Sequence, residues 1–556
     1  MGSPLIADHL GCSGSLVFDT AEVDAVQRSR PGAPQEPIRV AEDSYLLLSG
    51  PVKGPVTDAW ARRIAVALEQ GRHAELADVP GELCGCLVTP RKVFLFRNAE
   101  STEALLYRRD HRSVRWSTDP TDLLDPGARE FDDESLLRCC HGDDVFIYDG
   151  LTAVEPGEVV VVDEHRTTAA RFDEVPPLPL PRRTTLPEYA ELAYDLLLRE
   201  ARSYVGVGRV GLMLSGGLDS AAVLTAFVEA GVDVVVYHVL LDDPLADESA
   251  YARMVCEHLS VPLVLLRTDY LDDFLPTGRL PHPYLNYGVR WLEQLADRVR
   301  QDGITRLVWG RDGDLRFGPL TYGPRDVLFG DLRLREKAVL GAGLVSSHWE
   351  LPRLLDSLRK STSLLNDGSS GGVHREAADF LPPADDRPAP APAFDVKDMC
   401  ANLVVWRPRS IVMCNPLGNR DIQRLANRMP DAYRLLPYRG RLISKPVLRL
   451  MLSTRLPAPV WRRTGRVWLD CVPKAYTSTR PGVFLELLGG PDSHLVRRGI
   501  VDPRRVPEVL ADPHRRHRNA RVLLNSALTE LFLRGHDAPR TTASEKGQNV
   551  ATRAIG

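Results

Sequence analysis

The pattern of apolar and polar positions changes character near residue 180. Before it, residues 12–172 carry short runs, Tyr45–Leu48, Leu83–Val88, Val93–Arg97, Ala104–Arg108 and Val159–Val162, punctuated by Gly, Pro and charged turns. Short apolar or alternating runs bounded in this way predict strands. The stretch PPLPLPRR (176–183) is stiff, extended material and predicts a domain boundary. From Pro187 onward, helix-length segments alternate with short apolar runs. The expected order is a helix over 187–203, strand 209–214, strand Val234–Val239, helix 247–259, strand Pro262–Arg267, helix 286–302 and strand Arg306–Val308. Strands alternating with helices predict a doubly wound parallel sheet, with its ligand at the strand C-termini. Residues 349–536 read as mostly helical. Within them, GSSGGVHREAADFLPPADDRPAPAPAFD (368–395) is poor in aromatics and rich in Pro, Ala and Gly, which predicts a disordered insert suited to a substrate lid. The predicted organisation is a β-rich domain over 1–175, a linker over 176–186, an α/β domain over 187–536 and a disordered tail over 537–556.

The strongest chemical signal lies at the first apolar run of the second half, VGLMLSGGLDSAAVLTAF (210–227). Val210 to Leu214 reads as a buried strand that runs into Ser215-Gly216-Gly217-Leu218-Asp219-Ser220, with a helix beginning near Ala221. Small residues between a strand and a helix N-terminus make a phosphate site for physical reasons. Glycines let the backbone approach the ligand, unpaired N–H groups point outward, and the helix dipole favours an anion. The two serines can add hydroxyl donors, and Asp219 can hold a magnesium ion. No Gly-Lys-Ser/Thr follows, so the pattern is not a Walker loop. SGGLDS resembles the pyrophosphate-loop signature of enzymes that cleave ATP to AMP and pyrophosphate.

Composition narrows the reading. A chain of 556 residues suffices for two or three domains with full cores, and a net charge of −4 argues against nucleic acid as the main partner. Basic residues are overwhelmingly Arg and rarely Lys. No run of about 18 apolar residues appears, and MGSPLIADHL lacks the basic and apolar regions of a signal peptide, so a cytoplasmic protein with no membrane partner is expected. The nine cysteines include Cys84/Cys86 and Cys139/Cys140, neither with a second pair at zinc spacing, and read as buried inert thiols.

Taken together, these residues resemble the asparagine synthetase-like superfamily, most closely its β-lactam synthetases and lasso-peptide macrolactam cyclases. In that family a class II glutaminase-type β-rich sandwich precedes the pyrophosphate-loop α/β domain. GCSGSLVFD (11–19), PGELCGCLVTPRKVFLFR (80–97), ALLYRRDHRSVRWSTDPTDLL (104–124) and 131–162 are similar to its strands and closing segment. LVWGRDGDLRFG (307–318) sits where the family carries a Gly-rich loop with an acidic pair. CNPLGNRDIQRLANRMP and LISKPVLRLMLSTRLPAPVWRR (414–463) are similar to its paired helical segments at the acceptor site. The resemblance implies ATP held by Leu214, Ser215, Gly216, Gly217, Asp219, Ser220 and Gly310, with Mg2+ on Asp219 and Asp314. It implies activation of a carboxylate as its adenylate, followed by amide formation.

Departures from the family pattern shape the finer expectation. A working glutaminase of this class needs an N-terminal cysteine whose α-amine is the base. This sequence begins Met1-Gly2-Ser3, and Cys12 stands where that cysteine belongs, so only removal of eleven residues exposes it. The family's Arg-Gly-Pro-Asp and Asn-Gly-Glu elements are missing, and Pro80-Gly81 replaces an Asp-Gly. The catalytic Glu or Tyr position falls on Arg311, or on Asp312 one residue along. Asn419 replaces an acidic residue, and Thr464 falls at the intermediate-stabilising lysine. Arg463, Arg466 or Lys474 can supply that charge, whereas Lys445 reads as a surface lysine. A degenerate glutaminase half fits an enzyme whose amine is intramolecular, so a lasso-type cyclase acting on a peptide is the leading expectation. A leader-processing protease and a precursor-recognition protein are its expected partners. An intermolecular amide ligase acting on a small carboxylate, and a pseudoenzyme that keeps ATP binding, are the competing readings.

Overall fold

The computed structural model describes residues 7–18, 22–28, 37–52, 57–79, 81–125, 131–181, 183–240, 247–268, 280–283, 289–318, 334, 338, 378–383, 394–430, 433–438, 441–463 and 471–537. Most of the expected insert 368–395, all but the first residue of the expected tail 537–556, and Thr464 and Arg466 lie outside them.

The first half consists of β1 (Ala7–Val17), β2 (Glu22–Arg28), β3 (Ile38–Ala41), β4 (Ser44–Val52), α1 (Asp58–Glu69), β5 (Cys84–Val88), β6 (Lys92–Arg97), β7 (Leu106–Arg109), β8 (Ser113–Ser117), α2 (Asp133–His141), β9 (Thr152–Ala153), β10 (Glu158–Asp163) and β11 (Thr167–Arg171). The strands join in the order β11-β10-β6-β5-β4-β1-β8-β7-β9, with β2 on β1 and β3 on β4. β1 turns the corner: Ala7–Leu10 pair with β4, while Ser13–Val17 pair with β8. The two parts of the sheet therefore face each other across Cys12, Leu16, Leu47, Cys86, Leu95, Val114 and Trp116. Alternation along the same strands places Leu46, Leu48, Leu87, Phe94 and Phe96 on the opposite face, under Ala61, Ile64 and Leu68 of α1. Both strand faces are apolar because both are covered.

After the proline-rich stretch come α3 (Leu186–Arg202), β12 (Val210–Met213), α4 (Leu218–Glu229), β13 (Val234–Leu240), α5 (Ser249–Leu259), β14 (Leu263–Arg267), α6 (Val289–Gln301), β15 (Arg306–Val308), α7 (Gly313–Phe317), α8 (Val396–Ala401), β16 (Val412–Cys414), α9 (Arg420–Arg428), the hairpin β17 (Leu435–Tyr438) and β18 (Arg441–Ser444), α10 (Pro446–Ser453) and α11 (Ala458–Arg462). The chain closes with α12 (Cys471–Thr479), α13 (Pro481–Leu488), α14 (His494–Arg497), α15 (Arg505–Ala511) and α16 (Pro513–Asp537). Five strands form an all-parallel sheet in the order β14-β13-β12-β15-β16. The winding reverses between β12 and β15, the adjoining pair whose C-terminal ends form the crevice such sheets use for ligands. The molecule is thus an α/β and α+β protein: a β-rich sandwich, a doubly wound parallel sheet and a mainly helical C-terminal part.

Three details differ from the sequence reading. Helix α4 starts at Leu218 rather than near Ala221, because Gly217 takes the extended N-cap conformation and leaves Asp219 and Ser220 in the first turn. β16 and the β17–β18 hairpin interrupt the segment read as helical; β16 is only three residues long and buried throughout, so periodicity has nothing to register. Moreover, the two halves share a core: Leu106, Leu136 and Val145 pack with Leu295 and Val299 of α6 and with Leu523 and Phe532 of α16. The proline-rich stretch lies on α9, where Leu178 N–H donates to the Arg424 carbonyl at 2.9 Å.

A buried histidine ties this shared core to pH. His282 is fully buried, its Nε2–H donates to the Val145 carbonyl at 2.9 Å, and burial pushes its pKa down to about 3. The unfolded chain takes up this proton below about pH 6.5 and the folded chain does not, so stability is full above 6.5 and falls as pH drops toward 3. Between pH 7 and pH 5 the loss from this one group is expected to be about 2 kcal/mol. Urea unfolding of the wild type and His282→Gln at both pH values checks this. The variant should lose less stability on acidification, and an equal loss in both proteins would refute the assignment.

Candidate functional site

The loop after β12 is braced from within. Gly216 has a φ of +82°, a conformation that disfavours any side chain, and an added Cβ would stand 2.9 Å from Glu248 Cβ. Ser215 Oγ accepts from Gly217 N–H at 3.2 Å, Ser220 Oγ accepts from Ser215 N–H at 3.2 Å, and the two hydroxyls are 3.1 Å apart. The serines thus hold the turn to the helix. Leu214 is buried at the strand end; its N–H donates to Tyr237, and its carbonyl accepts from His238 Nδ1–H at 2.7 Å.

Arg463, just beyond α11, grips the loop from outside. Its Nη1 donates to the Gly216 carbonyl at 2.7 Å, its Nη2 pairs with the Glu248 carboxylate, and the guanidinium lies over the Tyr251 ring at 4.3 Å. The structure therefore brings Arg463 to the loop as a backbone clamp.

The second loop, between β15 and α7, presses on the first. A Cβ on Gly310 would lie 2.6 Å from Ser220 Cα and 2.8 Å from the Asp219 carbonyl carbon, and one on Gly313 would lie 2.7 Å from Asp219 Cβ. These glycines set the contact between the loops. Asp312 adopts φ +64°, a left-handed conformation uncommon outside glycine, and turns the chain between them.

Arg311 and Asp312 pair with side chains of later segments. Arg311 pairs with Asp398 and, at 2.7 Å, with Asp395, and it stands 5.3 Å from the Trp309 ring centre. Asp312 Oδ2 accepts from Asn415 Nδ2 at 3.0 Å and lies 3.5 Å from Arg316. Asn415 N–H in turn donates to Glu82 Oε1 at 3.1 Å, so a carboxylate of the first half reaches this loop through one residue. A cavity of about 140 Å³ opens here, lined by Arg97, Glu100, Ser101 and Thr102 from the first half and by Arg311, Asp312, Arg316, Asp395 and Asp398 from the second.

Lys445 corrects the sequence reading. It is buried rather than on the surface, and its Nζ contacts the Asp219 carboxylate and lies 2.9 Å from Asp314 Oδ1. Its backbone is left-handed, φ +55°, just ahead of Pro446 at the start of α10. One signal was available: an isolated lysine in an arginine-rich chain, placed before a helix-opening proline.

The remaining expectations fall elsewhere. Lys474 is exposed on α12, a helix packed against α16. Asn419 caps α9 through Asp421 N–H and donates to the buried Glu200 at 2.7 Å. Cys12 is buried inside an eleven-residue strand, and freeing its amide as a chain start would remove the Ala7–Leu10 ladder with β4.

One ammonium reaches Asp219 and Asp314 together, so the two carboxylates converge on a single cation position beside the loop. Hard oxygen donors from two carboxylates, completed by water and phosphate oxygens, are what Mg2+ takes, so these residues fit the ion.

Residues 195–534 match the asparagine synthase family, and the chain belongs to it. Among curated proteins, the tRNA-specific 2-thiouridylase MnmA of Corynebacterium jeikeium (strain K411) is 30% identical over 138 residues, 21% of this chain and 35% of that protein. The chain thus spans about a third of the length of that relative. Similar solved structures include the allosteric regulatory enzyme of purine biosynthesis (11% identity, 47% of this chain and 75% of that chain, TM-score 0.22). Another is the glutamine phosphoribosylpyrophosphate amidotransferase from B. subtilis (10%, 64% and 74%, TM-score 0.20). A third is the NH3-dependent NAD synthetase from Campylobacter jejuni (18%, 31% and 77%, TM-score 0.18). No helix among the described residues is long and apolar enough to cross a membrane.

Proposed function

We propose that this protein forms an amide by activating a carboxylate with ATP. The observation that carries the reading is the convergence of Asp219 and Asp314 on one cation position at the mouth of the SGGLDS loop. Loop amides and the start of α4 receive the pyrophosphate part of ATP, and Arg463 holds the loop in shape. Bound Mg2+ neutralises phosphate charge there. The carboxylate oxygen attacks the α-phosphorus and the bond to the β-phosphate oxygen breaks, releasing pyrophosphate. An amine then attacks the acyl carbon and loses a proton as AMP leaves. Held together, the reactants gain from effective molarity, worth about 7–11 kcal/mol in well-oriented cases.

The finer proposal is lasso-type cyclisation, in which a peptide's N-terminal amine joins an internal Asp or Glu side chain. Support comes from Cys12, whose mid-strand position provides no α-amine for glutamine hydrolysis, which fits an amine carried by the substrate. In this reading a leader-processing protease and a precursor-recognition protein act before the peptide arrives. The cavity beside Arg311 favours a second reading, intermolecular ligation, because its size and its mixture of guanidinium and carboxylate groups suit a small zwitterion. AMP and pyrophosphate release from Mg-ATP separates the two. Release that requires a candidate peptide, with that peptide losing one water by mass, supports cyclisation. Release with a small acid plus ammonia or an amine supports the second reading, and nucleotide binding without AMP under either condition overturns both.

A further inference from the structure

We propose that Lys445 is a built-in counter-ion that occupies the cation position before nucleotide arrives and gives it up to the metal, its ammonium then moving onto the pyrophosphate. The inference rests on the ATP-site reading above. Two observations carry it. The Lys445 ammonium contacts both carboxylates that would hold the ion, at 2.9 Å from Asp314 and in direct contact with Asp219. Mg2+ takes oxygen ligands at about 2.0–2.1 Å, so an ammonium and the metal would compete for this pair of carboxylates. The backbone that delivers the lysine is fixed in a left-handed conformation, its N–H donating to the Arg434 carbonyl at 3.0 Å and Pro446 opening the helix behind it. A residue with a Cβ held there points to a demand on its side chain. The four-carbon stem lets Nζ swing while Cα stays in place, which a rigid guanidinium fork does less readily.

Two carboxylates brought together without a cation repel, and the lysine's charge holds this pair together. An ammonium displaced from this pair would stay beside the SGGLDS loop, where phosphate oxygens would bind. Removing the charge therefore has opposite effects on two ligands. The metal alone binds more tightly because its competitor is gone, and metal with pyrophosphate binds more weakly because a phosphate partner is gone.

The test uses the full chain, Mn2+ in place of Mg2+ with free Mn2+ read by electron paramagnetic resonance, and inorganic pyrophosphate as the probe. Lys445→Met keeps the stem, and Lys445→Asn suits the left-handed backbone, so a folding defect in one variant is checked by the other. Both are expected to bind Mn2+ alone at least tenfold more tightly than wild type and Mn2+-pyrophosphate at least tenfold more weakly. A structural role for the lysine would move both affinities the same way, and that result, or unchanged Mn2+ binding, overturns the proposal. If wild type and Asp219→Asn bind Mn2+-pyrophosphate equally poorly, the nucleotide-site reading itself fails and this inference fails with it.

Discussion

Asp219→Asn is expected to lower AMP formation by about 10³-fold while leaving the protein folded. The substitution keeps the side chain's volume, so Gly310 and Gly313 still pack against the first turn of α4. What it removes is one of the two charges that meet at the cation position. Phosphate chemistry depends on placement and charge stabilisation more than on covalent help from the protein, so the loss falls on the reaction rather than the fold. Asp314 is more exposed than Asp219, 38% against 18%, and Asp314→Asn should cost less. Pyrophosphate release with the substrate that supports turnover, together with urea midpoints, checks both. A rate for Asp219→Asn within tenfold of wild type would remove this carboxylate from the site.

The strand, loop and helix around SGGLDS were legible because local chemistry decides them: an apolar run, a cluster of small residues, then helix formers. Family resemblance located Gly310 and Asp314, but not what Gly310 does. It presses on Ser220 and Asp219, a contact that exists only once β12 and β15 lie side by side. Lys445 was not legible for the same reason at longer range. It is 226 positions from Asp219 in sequence, and the side of α10 it approaches from is fixed by tertiary packing.

The choice between Arg311 and Asp312 could not be made from spacing. Asp312 takes a left-handed turn without a glycine to announce it, and both side chains line the cavity. Arg311 meets the carboxylate of the α8 N-cap, Asp395, and that of Asp398 within α8, 84 and 87 positions further on. The cavity they border takes part of its wall from the first half, whose strands read in sequence as a separate domain. Charge partners and interdomain walls are products of packing, and a pattern of apolar spacing carries little information about them.

Gly310→Ala is expected to reduce AMP formation by about 10²-fold and to cost about 1–3 kcal/mol of stability. Its Cβ would meet backbone atoms, Ser220 Cα at 2.6 Å and the Asp219 carbonyl carbon at 2.8 Å, where real Cβ atoms essentially never come within 3.0 Å. Backbone in the first turn of α4 cannot rotate aside as a side chain can. Relief therefore comes by separating the two loops, which draws Asp314 away from Asp219 and opens the cation position. Gly313→Ala acts on the same contact through the Asp219 side chain, 2.7 Å from its Cβ, and Lys445 restrains that side chain from turning away. The control is Gly482→Ala in α13, where a Cβ meets nothing within 4 Å and alanine favours the helix. It should hold or raise stability and leave the rate alone. Thermal melting and pyrophosphate release read all three, and wild-type behaviour of Gly310→Ala would show that the β15–α7 loop does not rest on the pyrophosphate loop.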